Sequence, residues 1–109
     1  VIKSGFVYHK NYDLNGDRVE ITKHIWYSGH VQGVCFRAQT TDVAKSFAVR
    51  GYVENLSDGS VHIHVKGEAS VVEDFLTKVE QTMAGHITNR QDQDSHEAIS
   101  EPNFTIRYT

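Results

Sequence analysis

The chain has 109 residues, of which 39% are hydrophobic and 23% are charged, and its formal net charge is −3. This length suits one domain with a single modest core. Because the net charge is negative, no overall positive field would attract nucleic acid or an anionic membrane, so we expect neither as a partner, and any bound anion must be held locally.

The sequence favours a cytoplasmic protein. No apolar run approaches the roughly 20 residues that span a bilayer. The N-terminus also lacks the basic region followed by an apolar stretch that marks a signal peptide. Cys35 is the only cysteine, so no internal disulfide is available and the domain must be stabilised by packing alone. We therefore expect a soluble monomer in the cytoplasm.

Residues 1–19 differ in character from the rest of the chain and are predicted to form an N-terminal extension. Asn15 and Gly16 lie between short apolar segments, which indicates either a loose hairpin or, since isolated hairpins are marginal in water, a disordered segment. The cluster of Asp13, Asn15 and Asp17 suggests calcium, but the glycine falls at the wrong position for an EF-hand loop and no glutamate closes it. We expect an ordinary polar turn there.

Residues 20–109 show the alternating patterns of a small domain with strands and helices. Residues 21–28 alternate between two faces, which predicts a half-buried strand that ends at Gly29. A helix is predicted over residues 36–49, and Gly51 would be its stop signal. The apolar face of this helix consists of Phe36, Val43, Ala44 and Phe47.

A hairpin is predicted next. Residues 51–55 form a short strand, and the Asp-Gly pair at 58–59 suits a tight turn. Residues 60–66 alternate between an apolar face and a polar face, and we expect the polar face to be exposed to solvent. His62 and His64 on the polar face offer two points of a metal site, but no third ligand is in view, and we expect both side chains to face solvent.

The remaining chain predicts a second helix and further strands. Ser70 and Glu73 form a capping box that would start the helix, and Gly85 is a natural C-cap. Residues 86–102 are polar and contain one strand near their start, while residues 104–109 alternate as a terminal strand. The apolar stripe of the helix consists of Val72, Phe75, Leu76, Val79 and Met83.

The order of these elements predicts the fold class. It reads β-α-β-β-α, followed by one or two strands. Two split βαβ units place both helices on the same face of an antiparallel sheet. We therefore expect an α/β protein of the α+β class, a ferredoxin-like βαββαβ sandwich, over residues 20–109.

The stretch G-H-V-Q-G-V-C-F-R at residues 29–37 has the features of an anion site. A strand ending at Gly29 and a helix beginning near Phe36 aim several backbone N–H groups at one point beside a helix N-terminus, where the dipole favours negative charge. Arg37 adds a planar fork of donors that matches two phosphate oxygens. Glycine pairs also occur in ordinary turns, so the loop alone leaves both interpretations open.

Together with G-Y-V-E-N-L-S-D-G-S-V at residues 51–61, this stretch resembles the acylphosphatase family, and the resemblance covers residues 20–109. It implies a ferredoxin-like fold and hydrolysis of small acyl phosphates to carboxylate and inorganic phosphate. By this resemblance Arg37 grips the phosphate and Asn55 positions the attacking water. It also implies a phosphate cradle formed by His30, Val31, Gln32, Gly33, Val34, Cys35, Phe36 and Arg37.

Elementary chemistry agrees with this activity. An acyl phosphate is already activated, so a site need only hold the phosphoryl group and align a water, and no metal or cofactor is required. Cys35 is not favoured as a nucleophile, because no partner histidine is evident and a lone cysteine is more often a buried apolar group. The alternative to an enzyme is a non-catalytic anion-binding regulatory module of the same fold. Nucleic-acid binding is disfavoured, since the strand over residues 60–66 carries no aromatics.

Overall fold

The structure, a computed structural model, describes residues 18–108 as one five-stranded sheet with two helices. Its elements are β1 (Glu20–Gly29), α1 (Phe36–Ala44), β2 (Arg50–Asn55), β3 (Val61–Glu68), α2 (Ala69–Thr82), β4 (Ile87–Asp94) and β5 (Phe104–Ile106). The hairpin and the calcium site considered around Asn15 lie outside the described residues. Within them, neither helix has the length and apolar character needed to cross a membrane.

The strands lie in the order β4-β1-β3-β2-β5. The pairs β1–β3, β1–β4 and β2–β3 are antiparallel, as predicted. The expectation of a wholly antiparallel sheet is wrong at one edge, because β5 runs parallel to β2, with Thr105 opposite Tyr52. Residues 95–103 carry the chain from one edge of the sheet to the other, and β5 then enters in the direction of β2. The α+β ferredoxin-like fold is otherwise confirmed.

The hydrophobic core lies between one face of the sheet and the two helices. Ile25 and Tyr27 of β1 are fully buried there, and the predicted apolar stripe of α2 is confirmed, with every member at most 2% exposed. Phe75 joins the layers, because its ring lies 6.1 Å from that of Phe47 and 5.2 Å from that of Phe104. Burial of one such ring contributes about 2–3 kcal/mol. The helical period therefore identified the core face correctly.

Helix α1 ends five residues earlier than predicted, at Ala44. Lys45 and Ser46 donate their backbone N–H groups to carbonyls three residues back, so the chain tightens into turns before β2 begins. Gly51 is therefore not a helix stop and lies inside β2, with a φ of 139°. A Cβ at this position would lie 1.9 Å from the carbonyl oxygen of His64. The glycine permits the close approach of β3, which the sequence did not reveal.

Helix α2 begins at Ala69, directly after β3, so the predicted capping box is wrong in register. Glu68 is the N-cap residue, in an extended conformation, and it makes no side-chain capping hydrogen bond. Ser70 is already the second helical residue. Because β3 continues two residues beyond its predicted end, no loop separates strand from helix. At the other end the prediction is better, since the helix ends at Thr82 and Gly85 adopts a φ of 91° in the following turn.

The second face of the sheet is less open than predicted. His62 and His64 were expected to face solvent, but they are only 6% and 2% exposed. Their rings lie against aromatic neighbours on the adjacent strands, and His64 Nε2 lies 2.9 Å from Oγ of Ser95 in the crossover segment. Burial lowers the pKa of both histidines, so their neutral forms are favoured. The alternation was correct, and the tertiary cover over this face was not visible in the sequence.

Candidate active site

The loop between β1 and α1 begins with a sharp change of direction at Gly29. This residue has a φ of 125°, and a Cβ there would lie 2.4 Å from the carbonyl oxygen of His86. The same oxygen accepts a hydrogen bond of 2.9 Å from the backbone N–H of His30. Only glycine allows the loop to lie this close to the turn that precedes β4. The first predicted glycine therefore fixes where the loop leaves the sheet.

The loop presents a series of backbone N–H donors beside the start of α1. Within residues 18–108, the N–H groups of residues 31–38 have no acceptor in the protein, and the first helical hydrogen bond is that from Gln39 to Cys35, at 2.9 Å. Cys35 precedes the helix in a left-handed conformation, with a φ of 64°. Orphan amides at a helix N-terminus favour a bound anion, because both the donors and the helix dipole are positive toward it.

Arg37 and Asn55, which are distant in sequence, line the same pocket of about 330 Å³. Asn55 is the last residue of β2, and it shares a face of that strand with the buried Val53. Arg37 lies in the first turn of α1. The complete lining consists of Val31, Gly33, Cys35, Phe36, Arg37, Ala38, Asn55, Ile106 and Tyr108.

The Asn55 side chain has a free acceptor in this pocket. Its Oδ1 atom is buried and has no hydrogen-bond partner among the described residues. An unpaired buried carbonyl costs about 1–3 kcal/mol, so such a group is retained where it has another use. The amide can accept a hydrogen bond through Oδ1 and donate through its NH₂ group, which suits the orientation of one water molecule.

The Arg37 guanidinium is available for a ligand. Its Cζ atom lies 5.0 Å from the ring centroid of Tyr108, and no carboxylate pairs with it within the described part of the chain. The backbone carbonyl of Arg37 accepts a 2.8 Å hydrogen bond from the Thr41 hydroxyl, one turn further along α1. The pocket lining contains no aspartate, glutamate or histidine. The arrangement therefore suits an anion and provides no carboxylate for a magnesium ion.

Gln32 connects the loop to the turn that follows Asn55. Its Nε2 atom donates to the carbonyl oxygens of Leu56 and Ser60, at 2.8 and 2.9 Å. The turn is closed by Asp58, whose Oδ1 accepts from the backbone N–H and the hydroxyl of Ser60, and these bonds lower the pKa of the Asp58 carboxyl. The predicted Asp-Gly turn is thus present. Gln32 fixes the distance between the loop and the end of β2.

The predicted cradle residues divide into two groups. Val31, Gly33, Cys35, Phe36 and Arg37 line the pocket, whereas His30, Gln32 and Val34 do not. The His30 ring is exposed and stacks on His86 at 5.9 Å, and Val34 packs against the core. Cys35 is exposed, so the expectation of a buried thiol is wrong. The left-handed backbone at this position turns it out of the core.

Two lining residues near the end of the chain were not predicted as part of the site. Ile106 and Tyr108 reach the pocket because β5 lies parallel to β2, on the side of the sheet where Asn55 ends the strand. Tyr108 is 73% exposed. The alternation of polar and apolar residues over 104–109 predicted a strand. It did not indicate which strand of the sheet this one would pair with.

Comparisons with known proteins agree with this geometry. A family model described as acylphosphatase matches residues 23–106. An acylphosphatase from Synechococcus sp. is 39% identical over 93 residues, which cover 85% of this chain and 97% of that protein. One from Thermotoga petrophila is 39% identical over 80 residues, covering 73% of this chain and 89% of the relative. The crystal structure of acylphosphatase from Bacillus subtilis superposes with a TM-score of 0.73 at 27% identity, over 81% of this chain and 99% of that one.

These matches extend well beyond a shared fold. The region matched by the family model contains the whole loop, Arg37 and Asn55, together with all of both helices. The relatives are matched over most of their own length, so the similarity is between whole domains. Sequence and structure lead to the same group of enzymes. The chain belongs to the acylphosphatase family and is a hydrolase of that kind.

Proposed function

We propose that the chain hydrolyses the carboxyl-phosphate anhydride bond of small acyl phosphates, with the loop over residues 30–37 holding the phosphoryl group. The observation that carries this proposal is the meeting of Arg37, Asn55 and the unpaired loop amides at one pocket. In this proposal Arg37 binds two phosphoryl oxygens, and Asn55 orients the attacking water. The roles follow from what each group can donate or accept.

The reaction needs little from the protein beyond position and positive charge. The water oxygen forms a bond to phosphorus while the bond between phosphorus and the carboxyl oxygen breaks, and the electron pair leaves on the carboxylate. The protons of the water remain on the phosphate product, so a doubly charged acyl phosphate gives a carboxylate and dihydrogen phosphate. Preorganised donors stabilise the equatorial oxygens as charge develops on them. No metal or cofactor takes part in this scheme.

The rest of the pocket favours a small acyl group with apolar character. The walls contributed by Val31, Phe36, Ile106 and Tyr108 are largely apolar and lie beside the anion-binding loop. A phosphoryl group held by the loop would leave the acyl group against these side chains. The open position of Tyr108 leaves space for more than one acyl size.

We also propose that the protein acts as a monomer in the cytoplasm. The loop, Arg37 and Asn55 meet within a single chain, so the proposed hydrolysis requires no residue from a second copy. The single cysteine is compatible with a reducing compartment. Light scattering of the purified chain should give the mass of one copy, and a stable dimer would contradict this proposal.

The direct test is phosphate release from acetyl phosphate and benzoyl phosphate by the purified full chain. We expect turnover in the presence of a chelator, with ATP and simple phosphate monoesters as poor substrates, because the pocket has neither a carboxylate cluster for magnesium nor a strong base. A requirement for a divalent ion would contradict the mechanism. Phosphate binding without turnover would instead favour the non-catalytic anion-binding module.

A further inference from the structure

The face of the sheet opposite the helices carries a cluster of histidines that the proposed hydrolysis does not use. His24 lies directly opposite His64 in the β1–β3 pair, and His62 is the neighbour of His64 along β3 on the same face. The rings of His24 and His64 stack at 4.3 Å, and those of His24 and His62 at 5.0 Å. Glu54 of β2 contacts His62 and therefore lies on the face of the cluster. Asn55, the next residue, projects from the opposite face because successive side chains of a strand alternate. The cluster is therefore separate from the pocket.

A chain of hydrogen bonds links His24 through His62 to Glu54. Glu54 Oε2 lies 2.8 Å from Nδ1 of His62, and because a carboxylate only accepts, His62 donates from Nδ1. With a single proton on the ring, Nε2 of His62 is then an acceptor. This atom lies 2.8 Å from Nδ1 of His24, which must donate to it. In a neutral His24 ring, the lone pair is therefore on Nε2.

That lone pair faces a carboxylate at a distance that suits a shared cation. His24 Nε2 and Glu97 Oε1 are 3.6 Å apart, beyond direct hydrogen-bond distance. Tetrahedral zinc with bonds of about 2.1 Å holds its ligand atoms roughly 3.4 Å apart. The spacing between the two atoms is close to this value, so a zinc ion fits between them.

A third ligand is present beside the first two. One ligand atom from each of His24, His64 and Glu97 lies within 4.8 Å of the others. The side chain of Glu97 is 74% exposed, so it has room to move toward the histidines. Two imidazoles and one carboxylate form a set of nitrogen and oxygen donors that zinc prefers.

We propose that His24, His64 and Glu97 form a zinc site that ties the crossover segment to β1 and β3. The chain from Glu54 through His62 to His24 acts as the outer support, because it fixes the tautomer and the orientation of the His24 ring. The crossover segment already contacts this face through Ser95, which lies next to His64. The ion would have a structural role, and catalysis at the pocket would not need it.

The test uses the tag-free full chain after removal of metal with a chelator. Calorimetric titration should show one zinc ion bound per chain. The melting temperature should rise by roughly 10 °C when free zinc is about 100 times its Kd. Cobalt as a spectroscopic probe should give the visible absorption of a tetrahedral ion. None of these measurements uses an acyl phosphate, so their result is independent of the proposed hydrolysis.

Three variants decide whether these residues hold the ion. Glu97→Gln alters an exposed side chain, so the fold should be retained, and zinc affinity should fall at least about 10-fold. His24→Gln should remove the cobalt spectrum. His96→Gln is the matched control, because it changes an exposed histidine of the same segment that lies outside the cluster, and it should bind zinc as the parent does. Absence of one-to-one binding would overturn the proposal, as would parental affinity in Glu97→Gln.

Discussion

At the scale of single residues, the candidate site contains a few polar groups that have no partner among residues 18–108. The acceptor of Asn55 is buried and unpaired among the described residues, and the Arg37 guanidinium faces an aromatic ring instead of a carboxylate. Most polar groups in folded proteins are satisfied internally. Groups left available beside a row of unpaired amides are suited to a ligand, and each can be tested separately.

Replacement of Arg37 should affect both binding and turnover. If the guanidinium holds the phosphoryl oxygens throughout the reaction, Arg37→Ala should abolish measurable hydrolysis and weaken competitive inhibition by inorganic phosphate. Arg37→Lys should restore little, because a point charge lacks the bidentate geometry. Arg50→Ala, at the other end of β2, is the control. Phosphate inhibition of Arg37→Ala at the parental level would show that this role is wrong.

Replacement of Asn55 should separate turnover from binding. Asn55→Ala should lower kcat by roughly 100-fold or more, the scale expected when one preorganised polar group is lost, while phosphate inhibition remains. Asn89→Ala, an exposed asparagine on β4, is the matched control and should behave as the parent does. The assay is kcat and phosphate Ki on benzoyl phosphate. A near-normal kcat in the Asn55→Ala variant would show that Asn55 does not orient the attacking water.

Cys35 should be dispensable for both stability and turnover. The thiol is exposed, so Cys35→Ala creates no cavity, and the free energy of unfolding should change by no more than about 0.5 kcal/mol. The left-handed backbone at this position is equally strained for alanine and cysteine. Urea unfolding and the acetyl phosphate assay measure the two quantities. Loss of turnover in the folded variant would indicate covalent catalysis.

At the scale of elements, the important connection is between the loop and the β2–β3 turn. Gln32 makes two hydrogen bonds to backbone carbonyls of that turn and so sets the position of α1 relative to the end of β2. Arg37 is on the first of these elements and Asn55 on the second. Gln32 is therefore a positioning residue in this arrangement, and its side chain does not line the pocket.

The Gln32→Ala substitution should impair the alignment of Arg37 with Asn55 more than the affinity for phosphate. Loss of the two hydrogen bonds should reduce stability by about 1–2 kcal/mol and lower kcat, while phosphate inhibition changes less because Arg37 and the loop amides remain. Gln39→Ala, on the exposed side of α1, is the matched control. Unfolding in urea gives the stability, and kcat with phosphate Ki gives the function. A loss of stability with unchanged kcat would limit Gln32 to a structural role.

At the scale of the whole molecule, one ion-pair network joins three elements. Arg90 of β4 forms two 2.7 Å hydrogen bonds to Asp92 and another of 2.6 Å to Glu80 of α2. Lys23 of β1 also contacts Asp92, at 2.7 Å. The hydrogen bonds from Arg90, supported by Lys23, lower the pKa of Asp92 to about 2. The edge strand is thus tied to its neighbour and to a helix.

This network should make stability depend on pH in acid. Because the folded pKa of Asp92 is below its unfolded value of 3.8, its contribution is complete above about pH 4 and is lost as pH falls toward 2. Since the side chain is 30% exposed, solvent screening reduces this contribution to about 1 kcal/mol. The Asp92→Asn variant should have a free energy of unfolding lower than that of the parent by this amount at pH 7, and equal to it near pH 2. Urea unfolding at both pH values measures this difference. Asp94→Asn is the control, and an equal loss at both pH values would contradict the electrostatic origin.

The sequence by itself determined the order of the first five elements, the core face of α2, and the loop that leads to Arg37. These features depend on periodicity and on residues near one another in the chain, so local patterns were sufficient. The predicted ends of helices and strands were wrong where they depend on contacts with residues distant in sequence. Gly51 was read as a helix stop because the close approach of His64 is a contact between strands. The domain boundary at residue 20 stays a prediction.

Only the tertiary structure decided which distant groups meet. The pocket wall formed by Tyr108 depends on β5 joining β2, and the buried His64 contacts Ser95 of the segment that crosses the sheet. Such contacts join residues separated by much of the chain, and alternation along one strand cannot indicate its neighbour or its cover. For the same reason, the sequence showed His62 and His64 as a pair without a third ligand, whereas the fold places His24 and Glu97 beside His64.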